Sequence, residues 1–280
     1  MQLAKTNAEL HAALDAVAGK TVALVPTMGA LHAGHLSLLA MAKAKAQVTV
    51  LSIFVNPLQF AAGEDLEKYP RPVEADLAAA EKAGVDIVFA PNTEEIYPSD
   101  EVVKKEEAGP IGSMFEGEAR PHHFDGMLTV VARLFDLVKP DIAIFGAKDA
   151  QQLFLVRQLV TRRNAAGRHP LEIVEAETVR ASDGLALSSR NEYLSTEERE
   201  TALVLNRALL EGATEETCAA SLTAANAVLQ TNPKAKLEYL ALVDEETFLP
   251  VTNDFHGKAR LLVAAKVGTT RLIDNLPVYY

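Results

Sequence analysis

Two histidines stand three positions apart, His32 and His35, inside the segment PTMGALHAGH that covers residues 26–35. Residues three apart share one face of a helix. A helix N-terminus favours anions through its unpaired N–H groups and its dipole. Two imidazoles at such a place can hydrogen-bond a phosphate whose negative charge grows in a transition state. Gly29 and Gly34 would let a nucleotide approach the backbone closely. An isolated His-x-x-His is more often a pair of surface side chains, and it is the Pro-Thr-Met-Gly setting at a strand-to-helix turn that favours chemistry here. The residues between the histidines are Ala33 and Gly34, so the general-base glutamate of a zinc-protease helix is missing.

Other stretches offer polar groups in comparable settings. VNPLQF, residues 55–60, carries Asn56 and Gln59, amides able to fix hydroxyl and carboxylate oxygens without neutralising a nucleophile. The plainer reading is a polar loop shaped by Pro57. FGAKDAQQL, residues 145–153, brings Gly146 close to any nucleotide and puts the compact cation of Lys148 at a turn, where it can meet a triphosphate. Asp149 is either a helix cap or a site carboxylate. LSSRN, residues 187–191, holds two hydroxyls and a guanidinium suited to β- and γ-phosphates, although alone it reads as an ordinary turn. Glu74 and Asp76 read as the acidic first turn of a helix. His122 and His123, within RPHHF, have no role assigned.

The elements around these stretches alternate. Strands are expected over 21–27, 48–55, 86–91, 141–146 and 171–177, and helices over 35–46, 73–84, 126–138 and 149–166. Near-continuous apolar strands such as VTVLSIFV belong in a parallel sheet buried on both faces. The order implies an α/β fold, a doubly wound parallel (Rossmann-like) sheet, in which PTMGALHAGH lies at the carboxyl edge where such folds bind ligands. The first twenty residues read as an amphipathic helix. Beyond about 191 the pattern changes to two helices, 196–211 and 215–230, and two strands, 236–244 and 259–267, a smaller α+β domain. The expected division is 1–182 and 183–280.

Composition narrows the function. The 280 residues carry a net charge of −11, with 49% hydrophobic and 23% charged. An acidic balance argues against nucleic acid as the main ligand, because phosphate neutralisation dominates that affinity. No apolar run reaches the roughly 20 residues of a membrane helix. The N-terminus lacks a secretory signal pattern, so the cytoplasm is the expected location. Cys218, the single cysteine, excludes an intrachain disulfide and reads as a small buried hydrophobe.

Taken together, HAGH resembles the HIGH motif of the nucleotidylyltransferase superfamily. With SIFVNPLQF, YPR, RPHHFDGMLTVVARLF, FGAKDAQQL and VRASDGLALSSRNEYLS following in order, the chain resembles the pantoate–β-alanine ligase family across most of residues 21–195. The resemblance implies ATP as substrate, accompanied by Mg2+, and condensation of pantoate with β-alanine through a pantoyl-adenylate. It assigns ATP to Met28, Gly29, Ala30 and Leu31 ahead of His32, to Ala33 and Gly34 before His35, and to Gly146, Ala147, Lys148 and Asp149. Val179 and the stretch Leu187, Ser188, Ser189 and Arg190 complete that set, the last being the counterpart of a mobile second signature loop. Pantoate falls to Gln59, Gln152 and Asn56, and β-alanine to Gln59. His32, His35, Lys148 and Arg190 become the catalytic residues, with His35 as proton donor. No protein ligand is assigned to the metal, since Ala75 interrupts the paired aspartates of some relatives. Ala147 and Ala150 replace the family's usual glutamate and aromatic. A homodimer is implied, with the C-terminal domain as a lid.

Rival readings are another HIGH-type nucleotidyltransferase, a non-catalytic nucleotide-binding protein of the same fold, and a class I aminoacyl-tRNA synthetase. The paired glutamine segments weigh against the first. The full set of histidines, lysine and Ser-Ser-Arg weighs against the second, and the short acidic chain against the third.

Overall fold

The structure is a computed structural model that describes residues 1–60 and 66–280. The chain forms two compact units, one of Met1–Ala147 with Gln151–Glu177 and one of Lys148–Ala150 with Thr178–Tyr280.

In the first unit β1 (Gln2–Ala4) leads into α1 (Asn7–Asp15), then β2 (Val22–Thr27), α2 (Ala33–Lys45), β3 (Val48–Ile53), α3 (Val73–Lys82) and β4 (Ile87–Phe89). Two single-turn helices, α4 (Thr93–Ile96) and α5 (Glu116–Ala119), precede α6 (His123–Val138), β5 (Ile142–Gly146), α7 (Ala150–Ala165) and β6 (Glu172–Ala176). All strands pair in parallel in the order β1-β4-β3-β2-β5-β6. The doubly wound sheet is therefore as expected, and the order changes direction between β2 and β5. At that switch, crossovers leave on opposite faces and open a crevice at the carboxyl ends of the strands. The turns after β3, β2 and β5, three adjacent strands, carry three of the polar segments singled out in the sequence.

Burial explains why these runs are strands. Leu24, Val25, Val50, Leu51 and Val88 are almost fully enclosed, covered on one side by α2 and α3 and on the other by α1 and α6. Each such side chain contributes about 1.5–3 kcal/mol of burial. Helix α6 buries twelve of its sixteen residues, which fits its run of Met, Leu, Val and Phe.

The amino-terminal expectation was partly wrong. Residues 2–4 form β1, with the Gln2 N–H donating to the Asp86 carbonyl at 2.8 Å, and the helix begins only after Thr6, whose capping box with Glu9 fixes its start. A three-residue edge strand is too short to show a period of two.

The second unit contains α8 (Thr196–Gly212), α9 (Cys218–Gln230), β7 (Ala235–Asp244), β8 (Lys258–Val267) and β9 (Thr270–Tyr279), the strands forming an antiparallel sheet β7-β8-β9. Ser195 caps α8 in a second capping box with Glu198. Ala208, Leu209, Leu261 and Val263 lie in one core with Cys218, the small buried residue it was expected to be. Strand β9 is an addition to the expected two. Its adjacent Asp274 and Asn275 are both buried, and Pro277 interrupts the pattern, tolerated because β9 lies at the sheet edge. Among the described residues no helix is long and apolar enough to cross a membrane.

Candidate active site

In the turn between β2 and α2, the N–H groups of Gly29, Ala30, Leu31, His32 and Gly34 each have a side-chain acceptor. The Thr27 hydroxyl donates to the Ser52 carbonyl at the end of β3 (2.8 Å) and accepts from the Gly29 N–H (3.2 Å). Gly29 and Ala30 follow with φ of +86° and +52°, consecutive left-handed residues that swing the chain out of the strand. His32 is the N-cap of α2: its Nδ1 accepts from the Gly34 N–H (3.1 Å), while His35 Nδ1 accepts from the His32 N–H (3.3 Å). A ring nitrogen that accepts an N–H carries no proton, so each neutral imidazole holds its hydrogen on Nε2. The two rings lie 4.1 Å apart at an interplanar angle of 35°. The capping box thus fixes both tautomers and makes both Nε2 atoms donors at a helix N-terminus.

Behind this turn, Asp76 in the first turn of α3 is buried, only 2% exposed, and its two carboxylate oxygens accept from the Ala30 N–H (2.8 Å) and the Leu31 N–H (2.7 Å). Asp76 lies in the acidic first turn of a helix, as expected, and what the structure adds is its burial against the 29–31 turn. Burial was the missing signal, and it is not visible in the sequence.

The turn after β3 holds Gln59, 8% exposed, whose amide nitrogen lies 2.8 Å from the Met28 sulfur. The first two sequence segments therefore meet. Asn56 is enclosed and fully engaged: its Nδ2 donates to Gln59 Oε1 (3.2 Å) and the Gly126 carbonyl (3.0 Å), and its Oδ1 accepts from the Tyr97 hydroxyl (2.8 Å) and the Leu58 N–H (3.3 Å). All four hydrogen-bonding positions of this amide are filled within the chain, so it orients Gln59 in this structure. Burial pushes the Tyr97 phenol well above its ordinary range, which keeps it a neutral donor. Helix α6 presses its backbone onto the same turn, for a Cβ on Gly126 would lie 2.0 Å from the Leu58 carbonyl oxygen.

Of the two histidines without an assigned role, His123 lies against the Gln59 carbonyl, Nδ1 to oxygen 2.7 Å, with Arg120 Nη1 3.1 Å from its Nε2. His122 is exposed, with Nδ1 3.7 Å from Asp125. Tyr97, Arg120 and Gly126 are supporting residues the sequence did not single out. They follow from contacts across 41 to 70 residues of chain, for which no local pattern exists.

On α7 the adjacent glutamines part company. Gln151 is buried and donates to the Ile111 and Met114 carbonyls (2.7 and 2.9 Å), while Gln152 is half-buried and its amide makes no hydrogen bond among the described residues. Gly146 ends β5, and the Ala147 N–H donates to the Ala176 carbonyl of β6 (2.8 Å).

Lys148 and Asp149, next in the chain, belong to the second unit, where Asp149 is exposed. Asn275 of β9 donates to the Lys148 carbonyl (2.8 Å), and Arg180 forms a bidentate pair with Asp274 (2.6 and 2.9 Å). Arg260 in turn donates to Asn275 Oδ1 (2.9 Å). The unexpected strand β9 is therefore what holds both Lys148 and the base of the 179–191 hairpin. Within that hairpin the Leu187 N–H donates to the Val179 carbonyl (3.0 Å), and Ser188 Oγ caps the turn that carries Ser189 and Arg190 (3.3 Å).

A parallel doubly wound sheet whose switch-point turn leads into a histidine-capped helix places the chain in the Rossmann-like class, with its ligand-binding edge at that turn. A family profile described as pantoate-beta-alanine ligase matches residues 2–277. The chain is 50% identical over 277 residues to the pantothenate synthetase of Leifsonia xyli, covering 98% of this chain and 94% of the relative. It is 54% identical to that of Nocardia farcinica, covering 93% and 80%. Pantothenate synthetase of Thermus thermophilus superposes with a TM-score of 0.93 at 47% identity over the whole of both chains. The ligase of Francisella tularensis, solved with a β,γ-ATP compound and β-alanine, gives 0.81 at 33% identity over 99% and 97%. The chain belongs to the pantoate–β-alanine ligase family.

Proposed function

We propose that this ligase joins pantoate to β-alanine in two steps at the carboxyl edge of the six-stranded sheet. The pantoate carboxylate attacks the α-phosphorus of ATP in line, pyrophosphate leaves, and the β-alanine amine then attacks the carbonyl of pantoyl-adenylate, releasing AMP and pantothenate. A carboxylate needs no general base for the first step, so donors and cations suffice. The observation that carries the reading is the pair of imidazoles whose Nδ1 atoms are tied to the backbone, leaving Nε2 as the donating nitrogen of each. Preorganised donors of this kind stabilise charge that develops on the phosphates without reorganising. His35 takes the role of proton donor to the departing pyrophosphate.

Lys148 and Arg190 are the cations assigned to the phosphates, and Gln59 and Gln152 the amides that select pantoate, with Asn56 setting the angle of Gln59. Gln59 also serves the β-alanine position. Magnesium would accompany ATP, with no residue of this chain assigned as its ligand. When bound, it would supply charge neutralisation for the leaving pyrophosphate.

The test is exchange of labelled pyrophosphate into ATP. Exchange is expected with pantoate alone, and AMP accumulates with the product only after β-alanine is added. Exchange driven by β-alanine without pantoate would overturn the order of steps. A nucleotide-binding protein without catalysis would exchange nothing under any acid.

A further inference from the structure

We infer that Asp76 is a positioning residue for the adenylation step, acting through the 29–31 turn on His32 and His35. The inference rests on the functional reading above and extends it to a residue on a separate helix, which acts through the backbone of the turn. Its two oxygens accept consecutive N–H groups, those of Ala30 and Leu31. The next N–H, of His32, goes to His35 Nδ1, and that of Gly34 to His32 Nδ1. Four backbone donors thus form one chain of bonds, and its first two links are this carboxylate.

The carboxylate is matched to a turn that would not hold itself. Ala30 is a non-glycine residue at φ +52°, a conformation an L side chain adopts at a steric cost, and successive N–H groups around such a residue form an anion-binding concavity. Gly29 is fitted to the same oxygen, because a Cβ there would lie 2.8 Å from Asp76 Oδ2 and 3.1 Å from the Ile53 methyl. If the turn relaxes, the entry into α2 rotates and both imidazoles lose their aim. A misplacement of about 1 Å at reacting groups can cost about 10²-fold.

Asp76→Asn keeps the shape but retains one accepting oxygen and turns an NH2 toward the second N–H. Rates are measured per folded molecule, with folded protein counted by far-ultraviolet circular dichroism and by melting. The kcat for pantoate-dependent pyrophosphate exchange is expected to fall about 10- to 100-fold, with KM for pantoate unchanged within about threefold. Adding Ala30→Gly to Asp76→Asn, which removes the steric cost at φ +52°, is expected to restore part of the lost kcat. Asp76→Glu, with its oxygens displaced by one methylene, serves as the second variant and should also be slow. Wild-type kcat in Asp76→Asn overturns the inference, and so does a loss of activity that only follows the loss of folded protein. Absence of exchange in the unsubstituted enzyme would instead refute the adenylation reading itself.

Discussion

His35 and Tyr97 show how a residue can matter through one atom. His35 uses Nδ1 to cap the helix, so removing the ring takes away one link of the cap together with the proposed charge-stabilising contact from Nε2. His35→Ala is expected to remain folded and to lose about 10²–10³ in pantoate-dependent exchange. Near-normal exchange in a folded variant would remove the role assigned to it. Tyr97 contributes its hydroxyl to Asn56 Oδ1 at 2.8 Å, in a setting where burial keeps the phenol neutral. Tyr97→Phe leaves that oxygen with a single partner and should cost about 1 kcal/mol of stability. Because Asn56 sets Gln59, KM for pantoate should rise more than KM for ATP, which initial-rate measurements resolve. That the histidines and Gln59 stand in the turns after β2 and β3 was legible in the sequence from the apolar runs before them, whereas the pantoate role of Gln59 comes from resemblance alone. Asp76, Tyr97 and Arg120 were not legible, because their roles depend on which side chains burial brings together from distant parts of the chain.

At the level of elements, the helix α6 and the strand β9 do the positioning. Gly126 allows the α6 backbone to rest on the 57–59 turn, and the nearest atoms are backbone atoms that cannot move aside. Gly126→Ala should therefore displace the turn, raise KM for pantoate several-fold and lower the melting temperature, whereas Val138→Ala at the far end of α6 should lower the melting temperature alone. In the second unit Asp274 is 5% exposed and pairs with Arg180. Asp274→Ala leaves the guanidinium without its carboxylate and should destabilise by about 3–5 kcal/mol, a loss that chemical denaturation measures. The parallel strands β2 to β6 could be read from their apolar runs, and α8 from its helical spacing. β1 was too short to show a period, and β9 was hidden by its buried Asp-Asn pair and Pro277, polar residues that the strand needs for the network and that disguise its alternation.

The whole molecule carries a pH dependence of defined sign. Burial raises the phenols of Tyr97 and Tyr280 above their ordinary value. For an acid whose folded pKa is raised, the stabilising contribution is complete below the unfolded value, about 10, and is lost as pH climbs beyond it. Alkaline unfolding should therefore set in above about pH 10, and Tyr97→Phe should weaken that dependence, as melting curves taken across alkaline pH would show. With a net charge of −11, phosphate binding falls to locally placed groups, proposed to be Lys148, Arg190 and the imidazole donors. The central claim, that a carboxylate oxygen attacks the α-phosphorus, has one direct measurement. Pantoate labelled with oxygen-18 in its carboxyl group is turned over with ATP and β-alanine, and the products are analysed by mass. One labelled oxygen should appear in the phosphoryl group of AMP, whereas label in inorganic phosphate with release of ADP would mean an acyl phosphate and contradict adenylate formation.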